Sequence, residues 1–140
     1  MYYTYIKLLN YEDSVIYKLE DGGRLASGFT HEKNDCAVRT LAIATGVDYG
    51  VAHAMLKEKG RRDGKPTYGF ATFIKEHIPV TECKTRQQIK STIGTFIKNK
   101  NKGTYIVGIR HHVFAVIDGI IHDSWEPKLG CHVKTYWKLK

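Results

Sequence analysis

Cys36 is the residue whose position most clearly suggests chemistry. It follows Asn34 and Asp35, two residue types that cap helices, and it opens the apolar helical run CAVRTLAIAT, which ends at Gly46. A cysteine in the first turn of a helix lies at the positive end of the helix dipole, which lowers the thiol pKa. Unpaired N–H groups there can bind the oxyanion formed when a carbonyl is attacked. We therefore interpret Cys36 as a nucleophile, the alternative being a small buried residue on a core helix.

A nucleophilic cysteine needs a base, and the run RHHVFAV at 110–116 offers two histidines at the start of an apolar strand. Side chains alternate across a strand, so only one of His111 and His112 can face a given site. Periodicity does not choose between them. For either residue the alternative is a core histidine whose ring bonds a backbone carbonyl.

The base in turn needs an orienting group, and the nearest source is the next strand. Asp118-Gly119 between two apolar runs predicts a tight hairpin, which would return the chain beside the histidine strand. Asp123 on the returning strand could then accept the second ring N–H of the imidazole and fix its tautomer. Asp123 is the third candidate site residue, with Glu126 as a second choice and a plain turn residue as the alternative.

The elements around these residues predict an α+β fold, because helices come first and strands follow. A β-rich pair at 2–9 and 14–19 predicts a hairpin, and 21–29 is a glycine-rich loop. An exposed basic loop is predicted at 60–67, after the second of the predicted helices. Further helices are predicted at 48–59, with Val51, Met55 and Leu56 facing inward, at 68–77, and at 86–99. Strands are predicted at 79–83, 104–110, 112–118, 120–125 and 132–139.

Composition narrows the classes of protein. The 140 residues show no repeat or linker, so one domain over 1–140 is expected. The net charge of +8 would suit a polyanion, but no Lys/Arg run reaches five residues. The three cysteines and seven histidines lack the spacing of zinc sites, and no cofactor motif is present. No leader or membrane-spanning segment is visible, which favours a reducing cytoplasm.

The order of the candidate residues resembles that of papain-like cysteine peptidases. The segments NDCAVRTLAIATG and HHVFAVIDGIIHDSW are similar to those of small papain-like proteins encoded by bacteriophages and, more distantly, of bacteriocin-processing peptidases. The resemblance covers roughly residues 30–125. It implies a papain-like fold, with N-terminal helices packed on a C-terminal antiparallel sheet. It also selects His112 over His111, because Asp35-Cys36 and His112-Val113 match the family's two short motifs.

The resemblance also implies where the oxyanion is held. Papain-like enzymes carry a glutamine about six residues before the cysteine, and this chain has Thr30 at that position. Asn34 lies closer and carries an amide, although capping is its simpler role. Thr30 and Asn34 are therefore the candidate side-chain donors, alongside the backbone N–H of Cys36.

These features predict a cysteine peptidase or isopeptidase-like hydrolase that acts on a protein or peptide. It would need no metal or cofactor, and acyl transfer to an amine would use the same residues. A first alternative is a catalytically inactive papain-like phage protein that binds a host protein in the host cytoplasm. A second is a basic nucleic-acid-binding protein, for which tight and salt-dependent retention of DNA or RNA would be the evidence.

Overall fold

A computed structural model describes residues 5–8 and 16–140, which form a mixed sheet and a set of helices. The elements, in chain order, are β1 (Tyr5–Leu8), β2 (Ile16–Leu19), α1 (Cys36–Thr45), α2 (Tyr49–Glu58), α3 (Phe70–His77), β3 (Val80–Lys84), α4 (Ile93–Asn99), β4 (Thr104–Ile109), β5 (His112–Ile117), β6 (Ile120–Asp123) and β7 (Thr135–Leu139). In this part of the chain the sheet has the strand order β1-β2-β6-β5-β4-β7-β3. The α+β class is therefore confirmed.

The sheet is mixed, which corrects the expectation of an antiparallel sheet built from C-terminal strands. Strands β1 and β2 pair antiparallel with each other, as the hairpin prediction required, but β2 joins the C-terminal strands through a parallel pairing with β6. The rest of the predicted hairpin, residues 2–4, 9 and 14–15, lies outside the described residues. The neighbouring pairs from β6 through β3 are antiparallel. The N-terminal segment thus extends the sheet next to the strand that carries Asp123.

Two tight turns set the register of β4, β5 and β6. Asp118 and Gly119 have φ values of 50° and 80° and connect the paired residues Ile117 and Ile120. Two successive residues with positive φ are the signature of a type I′ hairpin, so the predicted hairpin is confirmed. The turn between β4 and β5 contains His111, whose φ is 61°, and leaves His112 as the first residue of β5.

Helices cover both faces of the sheet, as alternation along β4 shows. Ile106 packs with α1, α2 and α3, whereas Tyr105 and Val107 pack with α4. The first three helices therefore lie on the sheet as predicted, and α4 covers the opposite face. Each helix in the described ranges is too short or too polar to cross a lipid bilayer.

The predicted helix at 86–99 forms only in its second half. Residues before Thr92 make local side-chain bonds instead, such as the one from the Thr85 N–H to Gln88 Oε1 at 3.0 Å. Such bonds compete with helical hydrogen bonding. The helix begins after Thr92, whose hydroxyl accepts from the Thr95 N–H at 3.4 Å. Ile89 still packs against the α4 core from the turn.

The inward face of α2 also differs from the prediction. Val51 is 49% exposed, whereas Leu56 is buried as predicted, and the rest of the buried stripe consists of Tyr49, Ala52 and His53. These residues follow the i, i+3, i+4, i+7 spacing of one helix face, and the prediction missed it because it gave His53 no inward role. The next segment, predicted as an exposed basic loop at 60–67, contains the buried Arg61, which is 6% exposed.

Arg61 is buried because it pairs with Glu32. The Glu32 carboxylate accepts from both terminal nitrogens of Arg61 at 3.1 and 3.0 Å, and from the Gly64 N–H at 2.6 Å and the Lys33 N–H at 3.0 Å. His53 Nε2 lies 2.7 Å from the second carboxylate oxygen. Burial raises the pKa of Glu32, but these hydrogen bonds outweigh it and bring the pKa down to about 2. Glu32 thereby ties together the loop before α1, helix α2 and the loop after it.

Replacing Glu32 with glutamine is expected to lower the free energy of unfolding by about 3 kcal/mol, because it leaves the buried Arg61 guanidinium without a counter-ion. The pKa of the Glu32 carboxyl in the folded protein lies below its ordinary value of 4.5, so its contribution to the free energy of unfolding is complete above pH 4.5. It is lost as the pH falls toward 2. Urea unfolding at pH 7 and pH 3 should therefore show a smaller difference between the two proteins at pH 3.

The exposed Glu58, in the last turn of α2, provides the control. Glu58→Gln should change the stability by no more than about 0.5 kcal/mol. Equal destabilisation by the two substitutions would contradict the role assigned to Glu32.

Candidate active site

The first turn of α1 lies beside the first residues of β5. The ladder between β5 and β6 stops at the pair of Ala115 and His122, which leaves the Val113 peptide free to bond with the helix. Thr40 Oγ donates to the Val113 carbonyl at 3.2 Å, and the Val113 N–H donates to the Cys36 sulfur. Cys36 and Thr40 are four residues apart and share one helix face. These two bonds fix the position of the helix start against the strand.

Neither predicted cap closes the N-terminus of α1. Asp35 occupies the N-cap position, but its side chain makes no capping hydrogen bond. Its buried carboxylate instead accepts from Arg39 and from the Tyr49 hydroxyl, the latter at 2.8 Å. The Asn34 amide donates to the Gly64 carbonyl at 2.9 Å. The capping prediction was wrong, and the first-turn N–H groups of α1 are left without a side-chain cap, as an anion site requires.

His112 is the histidine that the fold brings to Cys36. Its ring interacts with the Cys36 side chain and lowers the pKa of the thiol, and its Nε2 lies 2.6 Å from Asp123 Oδ2. Because Nε2 is engaged by the carboxylate, Nδ1 is the nitrogen that remains for the sulfur. His111 is exposed in the preceding turn. The structure thus separates two residues that periodicity alone left equivalent.

Asp123 supplies the carboxylate that bonds His112. Its Oδ1 accepts from the Ser124 N–H at 2.7 Å and lies 3.6 Å from Arg39 Nη2, while Oδ2 is bonded to the imidazole. The Asp123 carbonyl accepts from the Glu20 N–H at 2.9 Å, which anchors the strand end to the segment after β2. The carboxylate is buried, so its orientation is set by these partners.

Glu126, the second choice for this role, lies near the Tyr17 hydroxyl. Burial raises the pKa of Tyr17 to about 12, and the Glu126 charge contributes to that rise. The carboxylate bonded to His112 belongs to Asp123.

Electrostatics favour a charged cysteine–histidine pair. Burial raises the pKa of Cys36, but hydrogen bonds from His112 and Val113 and the charges of His112 and Arg39 outweigh it, so the thiol pKa lies below its ordinary value of 9.0. Burial lowers the pKa of His112, yet bonds to Asp123 and Cys36 raise it to about 9. Each shift stabilises the charged form of its group. The arrangement therefore favours a thiolate beside an imidazolium over a neutral pair.

Two residues of this region were missed by the sequence reasoning. Arg39 contacts both Asp35 and Asp123, and its i+4 spacing from Asp35 is a signal that could have indicated the first of these pairs. The second is Trp125, which lies at the rim of the site. Its ring lies 4.6 Å from the His112 ring, centroid to centroid, and the residue is 47% exposed.

The two candidate oxyanion side chains lie on the loop before α1. Thr30 is exposed and lines a cavity of about 430 Å³ together with Phe29 and Gly64. Asn34 has its amide on the Gly64 carbonyl. Among the described residues no hydrogen bond joins either side chain to Cys36, so the uncapped backbone N–H groups of the helix start are the better candidates for holding an oxyanion.

One cluster has the donor atoms of a metal site. Ligand atoms of Glu32, His53 and Asp63 lie within 4.8 Å of one another. The Arg61 guanidinium already neutralises Glu32 with two hydrogen bonds, so the cluster is accounted for as an ion-pair centre. The three cysteines are free thiols.

Cys36, His112 and Asp123 come from three separate elements: His112 is hydrogen-bonded to Asp123, and its ring interacts with the Cys36 side chain. This arrangement can generate a nucleophile, protonate a leaving group and orient the base. Comparison of the chain with protein-family models, with curated proteins and with solved structures gives no match.

Proposed function

We propose that the protein is a papain-like cysteine peptidase or isopeptidase-like hydrolase that acts on an amide bond of a protein or peptide. The observation that carries the proposal is the His112 ring, whose Nε2 lies 2.6 Å from Asp123 Oδ2 while the same ring interacts with the Cys36 side chain. A core histidine needs neither a thiol nor a buried carboxylate. The resemblance to phage-encoded papain-like proteins adds a host cytoplasm as the expected location.

The proposed reaction has two halves. The Cys36 thiolate attacks the amide carbonyl carbon and forms a carbon–sulfur bond. The imidazolium of His112 then donates its proton to the leaving nitrogen as the carbon–nitrogen bond breaks. Neutral His112 next removes a proton from water, whose oxygen attacks the thioester, and the acyl group leaves as a carboxylic acid. Asp123 holds the ring in one orientation throughout and stabilises its charged form. An amine in place of water would give acyl transfer with the same residues.

The negative oxygen that develops in each half needs donors. The backbone N–H groups at the start of α1 fit this role, because no side chain caps them and because they lie at the positive end of the helix dipole. Thr30 and Asn34 remain candidate side-chain donors. For Asn34 the role would require one of its two amide protons to face the site while the other stays on Gly64.

The first test uses the three free cysteines as internal controls. At pH 6, iodoacetamide should alkylate Cys36 about 100-fold faster than Cys83 or Cys131, read for each residue by mass spectrometry, because only Cys36 has an imidazolium partner. Cys83 is exposed, but burial of its sulfur raises its pKa, so access alone should not make it fast. Equal and slow labelling of the three residues would overturn the proposal.

Turnover is tested on peptide libraries and on isopeptide-linked substrates, with Cys36→Ser as the negative control. Cleavage by the native protein and none by the variant supports the hydrolase. A thioester that is captured by added amine identifies the transferase form. If Cys36 is alkylated rapidly but no acyl-enzyme forms with any substrate of the panel, the result would count against catalysis.

A second candidate is a catalytically inactive papain-like protein that binds a host protein. One observation favours it: the Asn34 amide donates to the Gly64 carbonyl and makes no hydrogen bond to Cys36, so one of the candidate oxyanion donors is already engaged elsewhere. This candidate predicts that Cys36→Ser leaves partner binding intact. The hydrolase predicts that the variant traps its substrate without cleaving it.

A further inference from the structure

We propose that Arg39 is a positioning residue of this site and that it holds Asp123 in the orientation that bonds His112. The inference rests on the proposed function. Arg39 belongs to α1, one turn after Cys36, and its guanidinium is buried. One terminal nitrogen bonds Asp35, and the other lies 3.6 Å from Asp123 Oδ1. The side chain therefore links the helix that carries the sulfur to the strand that carries the carboxylate.

The two oxygens of Asp123 have separate partners, and this division is what Arg39 maintains. Oδ1 faces the Ser124 N–H and Arg39, and Oδ2 faces His112 at 2.6 Å. At 3.6 Å the Arg39 contact is an ion pair rather than a hydrogen bond, so it acts through charge and proximity. Without it, Oδ1 would keep a single donor, and the carboxylate could rotate away from the ring.

Charge gives Arg39 a second effect, on the sulfur. Its cation is among the causes that lower the pKa of Cys36. A cation fixed in the helix favours the thiolate even when no substrate is bound, and a buried pair is screened little by salt. The charged and titratable groups around the site are Cys36, Arg39 and Asp35 of the α1 region, His112 of β5, Asp123 of β6, and Tyr49 of α2, which bonds Asp35.

A purely structural role is the competing explanation, since Asp35 is the nearer partner of Arg39. The two explanations differ in the sign of their effects. Removing Arg39 takes away a cation beside Cys36, whereas removing the charge of Asp35 takes away an anion and leaves the contact between Arg39 and Asp123. Loss of structure alone would move the reactivity of Cys36 in the same direction in both variants.

The test measures the rate of Cys36 alkylation by iodoacetamide against pH in the full-length native protein, Arg39→Met, Arg39→Lys and Asp35→Asn. Arg39→Met should move the midpoint of the rise in alkylation rate with pH upward by about one pH unit. This shift corresponds to roughly tenfold slower alkylation at pH 6. Arg39→Lys should restore most of the rate by returning the charge. Asp35→Asn should lower the melting temperature without moving the midpoint upward.

If Arg39→Met leaves too little folded protein, the double variant Asp35→Asn/Arg39→Met is used in its place. It removes both charges of the buried ion pair, and proteins often tolerate the loss of both better than the loss of one. The double variant should still shift the midpoint upward, but by less than Arg39→Met, because the anion of Asp35 is removed as well. An unchanged midpoint in the variants that lack Arg39, or an equal upward shift in Asp35→Asn, would overturn the role of Arg39. A native protein without fast alkylation at pH 6 would instead overturn the proposed function, so the two failures are distinguishable.

Discussion

Replacing His112 with asparagine is expected to slow the alkylation of Cys36 at pH 6 by about 100-fold, the largest effect we expect on the reactivity of the thiol. The His112 ring is a hydrogen-bond partner of the Cys36 side chain and the main positive charge beside it. Without an imidazolium, burial again dominates and the pKa of Cys36 rises. The loss should be largest at low pH and should shrink above the ordinary thiol pKa of 9.0.

The matched control is His111→Asn, one residue earlier. His111 is exposed and has a φ of 61°, a conformation that asparagine adopts more readily than most residues. This variant should fold normally and keep at least about half of the native alkylation rate. Similar losses in both variants would mean that the effect comes from a disturbed turn, and the pairing of His112 with Cys36 would be refuted.

Replacing Asp123 with alanine should give the second largest effect, with hydrolysis of a substrate falling by about 100-fold or more. Burial lowers the pKa of His112, and the bond to Asp123 is the strongest cause that raises it to about 9. Without the carboxylate, the imidazolium should lose its proton below pH 7, so the high-pH limb of the activity profile should move down by about two units. NMR titration of the His112 ring measures this directly.

Asp123→Asn separates orientation from charge. Its amide oxygen can still accept from His112 Nε2–H and keep the ring in place, while the negative charge is lost and the amide NH2 faces the Ser124 N–H and Arg39 in place of an acceptor. This variant should therefore retain more hydrolysis than Asp123→Ala and still show the lowered pKa of His112. A His112 pKa that stays near 9 in both variants would show that Asp123 does not set the protonation of the base.

The sequence was sufficient to identify the elements that position the site. The helix Cys36–Thr45 was predictable from its apolar periodicity and from Gly46, which ends it with a φ of 80°. The hairpin at Asp118-Gly119 was predictable because few residue pairs adopt two positive φ values. Since that turn fixes the register of β6 against β5, the position of Asp123 followed from it.

Other features depend on contacts between distant parts of the chain, and local patterns could not predict them. The parallel pairing of β2 with β6 joins segments about a hundred residues apart. The burial of Arg61 depends on Glu32, which lies on another loop. Asp35 looked like a cap but serves as a buried counter-ion, because Arg39 and Tyr49 compete successfully with the helix N–H groups for its oxygens. In each case the partner of a strand or of a polar side chain is set by the tertiary fold.

The choice between His111 and His112 shows how the two kinds of information combine. Alternation along a strand says that the two rings point in opposite directions but not which one faces the sulfur. The structure resolves the choice by placing His111 inside the two-residue turn and His112 at the first paired position, opposite Ile109. The turn geometry, which depends on β4, therefore decides which ring can reach Cys36.

The pH dependence of Cys36 alkylation in the native protein tests the central claim most directly, because it needs no knowledge of the substrate. A thiolate held by the His112 imidazolium predicts a rate that rises well below pH 9.0 and stays nearly constant up to about pH 9, where His112 loses its proton. A rate that rises only around pH 9.0 or above, in parallel with that of Cys83, would contradict the account.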